Sequence, residues 1–191
     1  MTGETLLLET LRKRLGSNII QAWASRSRRA NILVRAGWHK KAVSATLQIF
    51  PETMLSTITA VDLKEMFELN YHLWCKNTAL TIKVNIPRQT PRIETITDII
   101  PGASLYEREV YDLFGVKFID HPNLKRLLLS DEWSKGEYPL RKDWKPPNNL
   151  SMKVPIEPPP KIGNPDMKDA SSIINIVVGP QHPALHEPER F

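Results

Sequence analysis

Phe67, Leu69, Tyr71, Leu73 and Cys75 alternate without a break with Glu68, Asn70, His72 and Trp74. Leu80, Ile82, Val84 and Ile86 alternate in the same way with Thr81, Lys83 and Asn85. A period of two gives each strand one buried face, and the short Lys76-Asn77-Thr78 link predicts a β-hairpin. Cys75 falls on the inward face and His72 on the outward face, where it is expected at the surface. Elsewhere the period lengthens. Leu7, Leu8, Leu11 and Leu15 form a helical stripe stopped at Gly16. Val43, Leu47 and Phe50 form a second, within 38–50, closed by Pro51. Residues 18–24 and 30–35 read as two strands around a basic turn, and 54–63, rich in Thr, Ile and Val, as another. Pro91 suits the first position of a short helix carrying Ile93, Ile96, Ile99 and Ile100. The predicted fold class is α+β: a mostly antiparallel or mixed sheet with helices packed on one face.

Residues 104–143 are the most polar part of this pattern. Tyr106, Val110, Leu113 and Phe114 predict a helix over about 105–114, with Gly115 at its C-terminal cap. Ser104 and Glu107 have the spacing of a capping box. Arg108 and Asp112, four apart, are expected to pair along the helix. Residues 116–118 read as a short strand. By composition alone this is a solvated, salt-bridged helix.

The 191 residues suffice for one domain with a real core. No apolar run approaches the ~18 residues needed to cross a bilayer, and the first residues lack a secretory leader, so a cytoplasmic or equivalent location is expected. The single cysteine excludes an internal disulfide and falls short of the ~4 thiolates of an iron–sulfur cluster. The net charge of +5 is uneven: residues 1–49 carry nine Lys or Arg against two Glu. That basic region reads as a docking or solvated face. It also leaves open a nucleic-acid-binding module over 12–41, although no aromatic interleaving accompanies it and no nucleic-acid partner is expected.

The order Glu107-Arg108-Glu109, Asp112, Gly115, Phe118, His121-Pro122, Leu124, Arg126 resembles the signature of the C subunit, the thirty-kilodalton subunit of respiratory complex I. Residues 138–143, YPLRKD, resemble a second motif of the same family. The resemblance implies a peripheral-arm subunit that holds no redox centre and docks beside the B and D subunits. The iron–sulfur cluster and quinone are expected on those partners, and no metal is expected on this chain. Glu107, Arg108, Glu109, Asp112, His121, Arg126, Arg141 and Asp143 become candidates for the interface between subunits. Reversing Glu109 and Arg126 together is expected to weaken assembly and leave the fold intact.

Eleven of the sixteen prolines fall from Pro139 onward, predicting an extended strap over 144–172 after a domain of 1–143. Residues 173–191 then read as a strand leading into GPQHPALHEPERF, which resembles the start of the D subunit of complex I. In that family the second histidine of the motif lies at the quinone head group, making His186, with His182, the quinone-site candidates. A histidine there can donate a hydrogen bond and a proton to a reduced quinone oxygen. Pro183 argues against a helical metal pair of these two histidines. The ending Glu187-Pro188-Glu189 departs from the quinone-type motif and is more similar to large subunits of membrane-bound, energy-converting hydrogenases. The chain is thus expected to be either a truncated C–D fusion, which the abrupt end favours, or a C-type subunit with a tail that completes its partner's sheet.

Overall fold

The computed structural model describes residues 3–146, which fall within one compact unit. The strap beyond residue 146 and the GPQHP segment, with His182 and His186, lie outside the described residues. The elements are α1 (Gly3–Leu15), β1 (Ile19–Arg26), β2 (Arg29–Val34), α2 (His39–Ile49), β3 (Met54–Asp62), β4 (Met66–Cys75), β5 (Thr78–Pro87), β6 (Arg92–Glu94), α3 (Ala103–Phe114) and β7 (Lys117–Ile119).

Five strands form one mixed sheet in the order β1-β2-β5-β4-β3. The β2–β5 pair is parallel and the other neighbouring pairs are antiparallel. The alternation in β4 and β5 translates directly into burial: Phe67, Leu69, Tyr71, Leu73, Leu80, Ile82 and Val84 are almost fully enclosed. The predicted hairpin forms with a two-residue turn, because Lys76 and Asn77 both take positive φ and Thr78 already pairs with Cys75. Leu7, Leu8, Leu11 and Leu15 of α1, with Ala42 and Val43 of α2, join the same core. Cys75 is buried, and the Thr53 hydroxyl donates to its Sγ at 3.3 Å.

Three local expectations are corrected. The isoleucines after Pro91 do not form a helix. Arg92–Glu94 pairs in parallel with Lys117–Ile119, and the backbone then turns through residues 96–100. The β-branched run Ile93, Thr95, Ile96, Thr97 resists helix formation, and a strand distant in sequence supplies its hydrogen bonds. Ser104 is not an N-cap: Gly102 holds that position, without a side-chain cap bond. His72 is half-buried rather than a free surface residue. Its ring nitrogens lie 2.9 Å from the Thr59 hydroxyl and 3.2 Å from that of Thr81, tying β3, β4 and β5 together across the outer face. Burial, with nearby Lys83, lowers its pKa.

Candidate functional site

The signature residues converge on α3 and the segment that crosses it, residues 120–144. Gly115 ends α3 in the left-handed conformation, φ +74°, with its N–H donating to the Tyr111 carbonyl at 2.9 Å. A Cβ placed on Gly115 would collide with the Tyr138 ring and lie 2.7 Å from Arg141 Nη2. The YPLRKD motif thus packs on the one residue that has no side chain to exclude it. Arg141 stacks on Tyr138 with 4.3 Å between guanidinium carbon and ring centroid, and its Nε donates to the Phe114 carbonyl at 2.8 Å. The Leu140 N–H donates to the Leu113 carbonyl at 3.3 Å. Two orphan carbonyls at the end of α3 are thereby satisfied from outside the helix.

Asp112 faces inward and is 3% exposed. Its Oδ2 accepts the backbone N–H groups of Leu127, Leu128 and Leu129 at 2.8–3.0 Å. Burial by itself raises the pKa of this carboxyl. The three amide donors, with Arg126, outweigh that effect and hold it below the usual carboxylate range. Arg108 donates to the carbonyls of Lys125 and Arg126, and Arg126 donates to those of Ser130 and Trp133. The expected Arg108–Asp112 ion pair is therefore replaced by two separate sets of backbone bonds. Each saturates the irregular segment 125–133, whose main chain finds few partners of its own.

Asp143 pairs with Arg88 at 2.5 Å, and Arg88 Nε lies 3.4 Å from Asp62. Asp62, 3% exposed, also accepts the N–H groups of Lys64 and Lys142. That contact joins the end of β3 to a residue eighty positions later. Neither Asp62 nor Arg88 stands out in the sequence, because no local spacing announces such a contact.

Glu107 is fully buried. Its carboxyl accepts the Ile96 N–H at 2.8 Å and the Thr95 hydroxyl at 2.5 Å, so it stabilises the turn where the helix was expected. Burial raises its pKa to about 7, against which the Ile96 and Thr95 donors act. The His121 side chain is buried beside it, Nε2 4.0 Å from Glu107 Oε2. The Asn123 N–H donates to His121 Nδ1 at 3.0 Å, which leaves Nε2 as the protonated nitrogen facing Ser104, 3.2 Å from its hydroxyl and 3.3 Å from its carbonyl.

The Glu107 carboxyl has a calculable effect on stability. Its folded pKa exceeds its ordinary value of 4.5, so the native state retains a proton that the unfolded chain releases. Stability is then fully present below about pH 4.5 and falls as pH rises toward 7. Glu107→Gln removes this slope, which amounts to about 2–3 kcal/mol across the window. Urea titrations of both proteins at four pH values between 4.5 and 8 measure it; equal slopes would overturn the assignment.

Of the eight interface candidates, then, Glu107, Arg108, Asp112, His121, Arg126, Arg141 and Asp143 all have partners within their own chain. Arg126 is a bracing residue, so its reversal would disturb the fold, contrary to expectation. Glu109 differs: it makes no ion pair or hydrogen bond with the described residues. Beside this region Leu105 and Leu128 are more than half exposed. Among the described residues no group of three or more His, Cys, Asp or Glu side chains has the arrangement of a metal site.

Comparison with known proteins accounts for this architecture. Residues 36–149 match the family described as respiratory-chain NADH dehydrogenase, 30 Kd subunit. A relative from Phocaeicola vulgatus, the C/D subunit of NADH-quinone oxidoreductase, is 35% identical over 153 residues, 72% of this chain and 29% of that protein. The C subunit of NADH-quinone oxidoreductase from Moorella thermoacetica is 42% identical over 95 residues, 48% of this chain and 63% of that one. Among solved structures, a chain of the membrane-bound sulfane sulfur reductase, an archaeal respiratory membrane complex, superposes with a TM-score of 0.66 at 30% identity, over 74% of this chain and 85% of that chain. The match spans less than a third of the length of the C/D relative. With the family match covering more than half of its residues, the chain belongs to the family of the 30 Kd subunit of respiratory-chain NADH dehydrogenase.

Proposed function

We propose that this chain is a non-redox, peripheral-arm subunit of a complex I-type NADH:quinone oxidoreductase that scaffolds the quinone-reducing module formed by the B and D subunits. Electron transfer to quinone, coupled to proton translocation, belongs to the assembly. The iron–sulfur cluster and the quinone sit on partner subunits, and the assembly lies against the cytoplasmic or equivalent face of the membrane. Among the described residues no helix is long and apolar enough to cross a bilayer.

One observation carries this reading: a domain of the thirty-kilodalton family is followed, within one chain, by a segment resembling the start of the D subunit. A relative named as a C/D protein joins the two in one polypeptide. Covalent linkage of that kind requires the two partners to lie within linker reach of each other. The internal use of the signature charges agrees with a structural role. They hold residues 120–144 in a fixed shape over α3, and leave Glu109, Leu105 and Leu128 for contact with other subunits.

A second reading is favoured by the sulfane sulfur reductase neighbour and by the Glu187-Pro188-Glu189 ending: the equivalent component of a membrane-bound, energy-converting hydrogenase-type complex. Deleting the gene for this chain and assaying the membranes separates the two. Loss of NADH:quinone activity, restored by the full chain, supports the first. Intact NADH:quinone activity with loss of hydrogen evolution transfers the chain to the second. The purified chain is expected to lack visible flavin or iron–sulfur absorbance, and a stoichiometric chromophore would overturn the scaffold role.

A further inference from the structure

Three of the cations of the N-terminal third, Lys13, Arg14 and Lys41, line a groove between α1 and α2. Two adjoining hollows, of about 390 and 250 Å³, share Arg14 and Gln48 as lining residues. Lys13 lines the first and Lys41 the second, and no carboxylate lines either. Arg14 is held in place by Gln48, whose Oε1 accepts from Nη2 at 3.2 Å. The Lys41 ammonium is held over the Trp38 ring, 4.4 Å from its centroid. Lys13 makes no ion pair or hydrogen bond with the described residues. Glu9 lies one turn before it on α1, and no ion pair joins them. Thr10 and Ser44 add hydroxyls to the walls. One turn before Thr10, on the same side of α1, Leu6 is 56% exposed.

We infer that this groove is a docking site for an acidic segment of a neighbouring protein subunit, its carboxylates placed on Lys13, Arg14 and Lys41 and an apolar side chain on Leu6. Charge complementarity names the occupant. Three cations with no internal carboxylate raise the local positive potential, and a groove focuses that potential more than a convex surface does. Arg14 and Lys41 are already positioned by Gln48 and Trp38, so less side-chain freedom is lost when a carboxylate arrives. The groove offers no open aromatic face for base stacking, because Trp38, which lines it, is covered by Lys41. The assignment of the segment to a neighbour in the complex rests on the assembly proposed above; the affinity of the groove for acidic peptides does not.

The test uses the full chain and a fluorescent peptide in which Glu pairs alternate with Leu at helical spacing. Binding is expected at low salt and should weaken steeply between 0.1 and 1 M NaCl, as the Debye length shrinks from about 10 to 3 Å. The double reversal Lys13→Glu, Lys41→Glu should weaken binding about tenfold or more, whereas Arg26→Glu, Arg29→Glu, on the β1–β2 turn, should change it less than twofold. Circular dichroism melts check that both variants are folded. No peptide binding, or equal loss in both variants, overturns the site. Anionic vesicles or an RNA oligonucleotide displacing the peptide at equal charge concentration would reassign it to a lipid surface or nucleic acid, and so also overturns it. Peptide binding by a chain whose deletion leaves respiratory activity unaffected would preserve the groove and refute the assembly.

Discussion

Gly115→Ala is expected to lower the stability of the folded domain by about 3–4 kcal/mol, a shift in melting temperature on the order of 10 °C. Two costs add. An alanine at φ +74° pays about 1–2 kcal/mol for the left-handed conformation. Its Cβ also takes space held by the Tyr138 ring, so the Tyr138–Arg141 stack and the Arg141–Phe114 hydrogen bond must move. Thermal melts of Gly115→Ala, Tyr138→Ala and the double variant separate the two costs. Removing the ring relieves the collision, so the double variant should be more stable than the sum of single losses predicts, by about 2 kcal/mol. Strict additivity would mean that the YPLRKD motif does not rest on Gly115.

Asp112→Ala is expected to cost about 3 kcal/mol and to loosen residues 125–133 before the rest of the domain. Three backbone N–H groups share one carboxylate oxygen, and its removal leaves them with no acceptor unless the segment opens to water. Amide exchange at Leu127, Leu128 and Leu129 reports that opening directly. Asp112→Asn retains an oxygen but loses the charge and places an NH₂ group among donors, so about 2 kcal/mol is lost. The pH dependence has the opposite sign to that of Glu107. Because the folded pKa of Asp112 is depressed, its contribution is present above the unfolded value of about 3.9 and is lost as pH falls through the folded pKa. Equal acid sensitivity in wild type and Asp112→Ala would exclude this role.

These two residues show where residue order is sufficient and where it stops. Gly115 is identifiable as a helix terminus because the terminus is local: the apolar stripe of α3 ends there and only glycine takes φ +74° without penalty. That Tyr138 rests on it is not legible, because no periodicity links a helix end to a distant loop that precedes a proline. Asp112 and Arg108 are four apart on a helix, and local rules pair them. In the folded chain the unpaired amides and carbonyls of 125–133 are stronger claimants than a solvated neighbour, since a buried backbone group without a partner costs more than a surface ion pair returns.

The same division holds for the whole domain. The alternation in β4 and β5, the leucine stripe of α1, the short β4–β5 link and the family signature follow from residue order, because each depends on neighbours within a few positions or on a motif that can be matched directly. The parallel pairing of β2 with β5 and of β6 with β7, the inward turn of Glu107, and the link from Asp62 to Lys142 depend on segments distant in the chain meeting in space. Burial then reassigns the charges. In water a carboxylate is satisfied anywhere, but inside the fold it persists only where donors already wait, and that condition placed Glu107 on Ile96 and Asp112 on Leu127, Leu128 and Leu129 rather than on the helix surface that their spacing implied.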